Sequence, residues 1–312
     1  MNGVIVIDKP AGKTSFDIVR DVRKILNIRK VGHTGTLDPL ATGVLPVCVN
    51  EATKLVQFFS QDNKEYRVTM LLGVETDTFD IDGRVVGRST PYVTPGDIAT
   101  VSKGFTGIIA QTAPRYSAVK FKGRALYKWT REGIDIDPPV RTVEIYGIRL
   151  VGVTLPYVTL AVSCSKGTYI RSLCADIGHE LGCGACVASL RRTESGCFQE
   201  EAALPLGEIA EHDKQRLLMQ HLIPMVDTLP DFTAIAVDGP TAQRIRQGYQ
   251  PGINMLQGND IPSLSKGDLV KFTTLDNELI AVAEMRVDLR NTALYDENLC
   301  CAKILRVFNG RK

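Results

Sequence analysis

Four histidines and one tryptophan in 312 residues leave few candidates for a histidine-based metal centre, and no Ser/His/Asp or Cys/His assembly can be read from spacing. Net charge is nearly absent as well. With 37 basic against 35 acidic residues the formal charge is only +2, so a nucleic-acid role must rest on local clustering. No apolar run has the length of a membrane span, and no basic leader precedes the first one, which is strand-length. The eight cysteines are scattered irregularly, which fits reduced thiols in a cytoplasmic protein better than a disulfide framework.

Three motifs fail on inspection. Cys183 and Cys186, with His179 one helical turn upstream, lack a second CxxC at zinc-ligand spacing, so buried free thiols are expected. Gly12-Lys13-Thr14-Ser15 looks like the end of a phosphate-cradling loop, but Ile7 stands where its first glycine belongs. Asp77, Asp80, Asp82 and Gly83 suggest a calcium loop, but its first ligand would be Thr78 and its twelfth Ser89 rather than a bidentate Glu.

What the chain does have is a packed-core composition, 44% hydrophobic and 23% charged, and length for two domains. Apolar patterning predicts a strand over 3–8, a helix over 14–27 capped by Thr14 or Ser15, and a strand over 66–73. A helix is predicted from Pro95 to Phe105, two strand-rich runs within 142–164, and a helix over 169–181. Strands and helices alternate without a βαβ rhythm, which predicts an α+β fold with a mixed or antiparallel sheet. A boundary is expected between His221 and Asp231. Short strands follow over 268–274, 279–286 and 302–308, consistent with a small β-barrel-like domain.

The most informative stretch is Gly32-His33-Thr34-Gly35-Thr36-Leu37-Asp38-Pro39-Leu40-Ala41-Thr42-Gly43-Val44-Leu45. Asp38 is a lone carboxylate among small, turn-forming and apolar residues. Two readings stand: a helix N-cap followed by Pro39, or a carboxylate at a pocket floor acting as nucleophile or general base.

Residues 114–131 form a second feature. Arg115, Lys120, Lys122, Arg124, Lys128 and Arg131 are basic, the segment holds no acid, and Tyr116, Phe121, Tyr127 and Trp129 are interleaved. Cations that meet phosphates beside rings that stack on bases suit an RNA surface. The alternative is a solvated basic helix with its rings turned to the core. Arg191-Arg192 and the cluster Arg20, Arg23, Lys24, Arg29 and Lys30 could extend such a surface.

The run Val6–Ser15, the run Gly32–Leu45 and Ser165-Lys166-Gly167-Thr168-Tyr169-Ile170-Arg171-Ser172-Leu173 together resemble the signature blocks of the TruB pseudouridine synthases. Pro114–Lys120 and Leu190-Arg191-Arg192-Thr193 resemble that family too. The resemblance implies an isomerase that converts uridine to pseudouridine at position 55 of the tRNA T loop, without metal or organic cofactor. It implies a catalytic domain over 1–230, with an RNA-clamping insertion at about 114–140, and a PUA-like RNA-binding domain over 231–312.

By resemblance Asp38 is the catalytic aspartate, Arg171 its partner, Tyr66 the ring that stacks on the uracil, and Tyr169 a pocket tyrosine near the reacting base. Leu190 is a pocket wall, and His33 fills the space left by the extruded base, since a stacked base must be flipped to react. Lys9 and Asp80 match positions that orient Tyr66 or Arg171. Arg115, Lys120, Lys122, Arg124 and Lys128 are expected on the RNA backbone, and the insertion is expected to be mobile without RNA. The partner is the T stem-loop of tRNA, with no membrane, no obligate protein partner and a monomeric state. Two other readings belong beside this one: a guide-RNA-dependent relative, which the start of the chain at its first strand disfavours, and a non-catalytic tRNA-folding chaperone.

Overall fold

The computed structural model describes residues 1–60, 62–134, 136–255, 263–288, 296 and 299–310. Its first layer is one ten-stranded sheet. The strands are β1 (Gly3–Lys9), β2 (Val31–His33), β3 (Thr42–Val49), β4 (Lys64–Leu72), β5 (Gly107–Thr112), β6 (Val140–Thr154), β7 (Tyr157–Cys164), β8 (Ala185–Ser195), β9 (Phe198–Gln199) and β10 (Ile223–Pro224). They run in the order β10-β1-β3-β8-β4-β7-β6-β5, with β2 beside β3 and β9 beside β8. Pairing is antiparallel except between β3 and β8, where Arg191 and Arg192 lie parallel to Thr42 and Gly43. The mixed, mainly antiparallel sheet is the one predicted.

Period-2 patterning explains the strands. In β7 the residues Val158, Leu160, Val162 and Cys164 are buried and alternate with less buried neighbours. Helix α1 (Ser15–Leu26) buries the stripe Ile18, Val19, Val22 and Leu26 against the sheet. Thr14 starts it with a capping box. Its Oγ1 accepts from Asp17 N at 3.1 Å, while Asp17 Oδ2 accepts from Thr14 N at 3.0 Å. Helix α2 (Pro95–Gly104) repeats the device with Thr94 and Asp97, and α3 (Ile170–Glu180) packs against β8.

A second, four-stranded sheet follows in the order β11 (Thr233–Val237), β12 (Leu269–Thr274), β13 (Leu279–Met285), β14 (Ala302–Val307). It shares a core with the first: Leu279, Val282 and Phe308 pack among Val4, Val6, Val44 and Leu55. Lys54 Nζ donates to the Val307 carbonyl at 2.9 Å, and Lys271 Nζ to that of Leu229 at 2.8 Å.

Two expectations change. Asp38 caps no helix: the chain from Thr34 to Ala41 is irregular and leads into β3. The basic segment is not one helix. A two-residue hairpin joins Lys120–Phe121 to Arg124–Ala125, turning through Lys122 (φ 48°) and Gly123 (φ 82°), and a short helix Leu126–Arg131 follows. All eight cysteines are free, with Cys183 and Cys186 both buried. No helix among the described residues is long and apolar enough to cross a membrane.

Candidate active site

The loop that carries Asp38 is pinned on both sides of it. Before it, the buried Ser15 hydroxyl accepts from Leu37 N at 2.8 Å. After it, the Pro39 carbonyl accepts from Gly12 N at 2.8 Å and from Lys9 Nζ at 3.2 Å. Lys9 is fully buried and also donates to the Pro10 and Lys13 carbonyls at 2.8 and 2.6 Å. Burial pulls its pKa down to about 8, against the pull of the Asp38 charge. The block Lys9–Ser15 therefore acts as the clamp of the Asp38 loop. Lys9 donates its hydrogen bonds to that loop and to its own turn.

Arg171, one residue into α3 and buried, gives Nε–H to Asp38 Oδ2 at 2.8 Å. Its other nitrogens donate to the Thr78 and Tyr116 carbonyls at 2.8 and 2.9 Å, and Nη1 lies 3.4 Å from Asp80 Oδ2. Asp80 is held by Thr78 Oγ1 at 2.6 Å, and burial pushes its pKa above the usual carboxylate range. The expected Asp38–Arg171 pair and the placement of Asp80 beside Arg171 are both present.

Asp38, Tyr66, Tyr169 and Leu190 line a single cleft of ≈ 570 Å³. Tyr66 is half-buried on β4, opposite Arg192 on β8 and Val162 on β7. Burial raises its phenol pKa, with the Arg192 charge pulling the other way. Tyr169 is the residue before α3, its phenol likewise raised by burial, and it packs on Val119 and Leu126 of the basic segment and on Ala113 just before it. His33 ends β2 and does not line the cleft. Its Nδ1 is buried without a hydrogen-bond partner, and burial with the Arg192 charge holds its pKa low.

Within the basic segment Lys120 reaches the cleft, and Arg115, Lys122 and Lys128 are exposed. Arg124 is not a free cation: it forms an ion pair with Glu132, just past the acid-free run. The rings are capped by the segment's own cations. Arg124 lies 4.7 Å from the Trp129 ring, Arg131 5.4 Å from Tyr127 and Lys122 5.5 Å from Phe121. Arg191 is likewise occupied, by Asp8 at 2.9 Å and Glu200 at 2.7 Å.

Sequence reasoning passed over Gln111. Its buried amide donates to the Tyr169 carbonyl at 3.0 Å and accepts from Tyr169 N at 2.7 Å, so one side chain pairs with the backbone of one residue as a strand would. Ser172 Oγ adds a bond to the Thr112 carbonyl at 2.9 Å. The end of β5 thereby fixes the start of α3, and with it Tyr169 and Arg171. The only signal was position: Gln111 stands next to the Pro114–Lys120 block.

Comparison with known proteins bears on this geometry. Residues 23–170 match the family described as TruB family pseudouridylate synthase (N terminal domain), and residues 171–229 that described as tRNA pseudouridylate synthase B C-terminal domain. The chain is 52% identical over 311 residues to a tRNA pseudouridine synthase B of Syntrophus aciditrophicus (strain SB), covering 100% of both. It is 39% identical to that of Geobacter sulfurreducens over 99% of this chain and 100% of the other. Among solved structures it is similar to a Cbf5-Nop10-Gar1 complex, with a TM-score of 0.73 and 30% identity over 98% of this chain and 84% of that one.

Proposed function

The chain belongs to the TruB family of pseudouridylate synthases, and with that as premise we propose that it isomerises the uridine at position 55 in the T loop of tRNA to pseudouridine. The reaction breaks the bond from ribose C1′ to uracil N1, forms a bond from C1′ to C5, releases the C5 proton to solvent and takes one proton back at N1, so the product is an isomer of the substrate. The relatives that match over the full length of the chain are named for action on tRNA, which supports the stand-alone reading over the guide-RNA-dependent one.

The carrying observation is the 2.8 Å contact between Arg171 and Asp38, the one carboxylate that lines the cleft. Asp38 has to be charged to act on the sugar or base, and its surroundings are partly desolvated. A guanidinium fixed by two backbone carbonyls holds that carboxylate and aims it. Tyr66 supplies the face on which a flipped uracil stacks, Tyr169 and Leu190 close the pocket, and His33 stands ready to occupy the vacated stack. Residues 1–230 make up the catalytic domain and 231–312 a PUA-like RNA-binding domain, and the protein works as a cytoplasmic monomer.

Release of tritium from a T-arm hairpin labelled at uridine C5 tests this. Wild-type protein releases label with no guide RNA or partner protein present, and Asp38→Asn binds the hairpin yet releases none. Normal turnover by Asp38→Asn removes the assignment, and a requirement for a guide RNA moves the protein to the other class.

A further inference from the structure

The cleft is lopsided in charge. Lys64, Lys120, Arg141, Lys166 and Arg192 line it, against one carboxylate, Asp38, which Arg171 already holds. Lys64 and Arg192 are the deep members, 7% and 1% exposed. Their hydrogen-bond partners are neutral. Arg192 donates to the Val44 carbonyl at 2.7 Å and the Gly35 carbonyl at 3.2 Å, and Lys64 to the carbonyls of Phe59 and Asp62. Neither forms an ion pair among the described residues.

Strand geometry places them on either side of Tyr66. Lys64 and Tyr66 are two residues apart on β4 and so share a face, and Arg192 lies directly across from Tyr66 on β8. Its sequence neighbour Arg191 points to the other face, where Asp8 and Glu200 meet it. The alternation thus separates an arginine matched by two acids from one matched by none. Burial, with the charges of Arg192 and Lys166, pulls the Lys64 pKa down to about 8, with Asp62 opposing. A buried pair of like charges that no carboxylate meets in an ion pair is costly in the free protein, and an anion entering the cleft relieves it.

We propose that Lys64 and Arg192 form a phosphate subsite that takes one of the two phosphodiesters adjoining the nucleotide stacked on Tyr66. The subsite deepens the uridine-isomerising reading and rests on it. The nucleotide is then held by three groups at once: the Tyr66 ring on the base, Asp38 near the sugar and the cation pair on the phosphate. Lys64 and Arg192 are positioning residues, since neither reaches the atoms that react.

The test uses T-arm hairpins in which the phosphate on the 5′ or the 3′ side of the target uridine is replaced singly by a neutral methylphosphonate. Full-length wild type and the variants Lys64→Met and Arg192→Lys are compared by tritium release and by fluorescence anisotropy, after their thermal unfolding shows folded protein. On the wild type, one of the two replacements lowers affinity by about tenfold or more. On Lys64→Met the same replacement costs at least about threefold less affinity than on the wild type, because one of the phosphate's two partners is already gone. Additive losses from variant and replacement, or a wild type indifferent to both replacements, overturn the subsite. Turnover of the unmodified hairpin by wild type is read separately: its failure sinks the isomerase reading, while anisotropy still reports on the phosphate contact.

Discussion

Arg171 stands 2.8 Å from Asp38 through Nε and 3.4 Å from Asp80 through Nη1, so one buried guanidinium serves two carboxylates. Removing it strands both. Arg171→Met is expected to abolish tritium release and to lower stability in urea by about 3–5 kcal/mol, the cost of leaving buried charge uncompensated. Adding Asp80→Asn to that variant restores part of the stability, since Asp80 is the more buried of the two, and none of the activity. A double variant as unstable as the single one would show that Asp80 draws nothing from Arg171.

Gln111 is expected to control rate rather than binding. Gln111→Leu leaves the backbone N–H and C=O of Tyr169 without their partner, a penalty of about 1–3 kcal/mol. The start of α3 then loosens, and Tyr169 and Arg171 move with it. Single-turnover rates on the T-arm hairpin should fall by tenfold or more, by roughly the reasoning that small misplacements of catalytic groups cost orders of magnitude. Anisotropy should show hairpin affinity within about threefold of wild type, as the cations that bind RNA lie elsewhere. An unchanged rate would remove Gln111 from the machinery.

The contrast between Gln111 and β7 shows what the chain discloses unaided. Val158, Leu160 and Val162 announce a strand because burial of alternate residues is a local property. The Asp38–Arg171 contact joins residues 133 positions apart; no periodicity reveals it, and resemblance to a family supplied it. Gln111 and Ser15 act by hydrogen bonds to distant backbone, which leave no mark on composition. Lys64 and Arg192 are cations in strands, and a charge in a strand reads as a solvated face until the sheet order shows which side is covered. Asp38 misled as a helix cap because Pro39 suits a first helical position equally well as an irregular loop. The basic segment kept its cations outward as its composition suggested, but its rings are half-buried beneath them.

The pH dependence of stability offers a separate check on the buried cations. Burial holds the folded-state pKa of Lys64 near 8, below the ordinary lysine value of 10.5. A lysine so depressed costs stability while it is protonated in both states, and the cost is relieved as pH rises from about 8 toward 10.5, where the folded state releases its proton first. Lys64→Met is therefore expected to be more stable than wild type at pH 7, by on the order of 1–3 kcal/mol, with the gap closing by about pH 10.5. The difference curve is the quantity to read from urea unfolding. Raised thiol pKa values, such as those of Cys164 and Cys186 at about 11, pull both proteins the other way above pH 9. A gap that does not narrow with pH would place the lysine outside the low-dielectric interior.

Gly43 tests whether the parallel β3–β8 contact sets the site. Its φ is +97°, and a Cβ there would lie 2.2 Å from the Arg192 carbonyl oxygen. Gly43→Ala meets both obstacles at once: a backbone region that side chains avoid, and a neighbouring strand that cannot retreat without moving Arg192. A loss of more than about 2 kcal/mol is expected from strain and displaced packing together. The measurable signature is a coupled one. Because Arg192 bridges to Val44 and Gly35, its displacement should also loosen the Asp38 loop, so turnover should fall even at temperatures where Gly43→Ala remains folded by circular dichroism. Full activity in the folded variant would mean that the loop is held by the Ser15 and Lys9 clamps alone, and that the two strands can part without disturbing it.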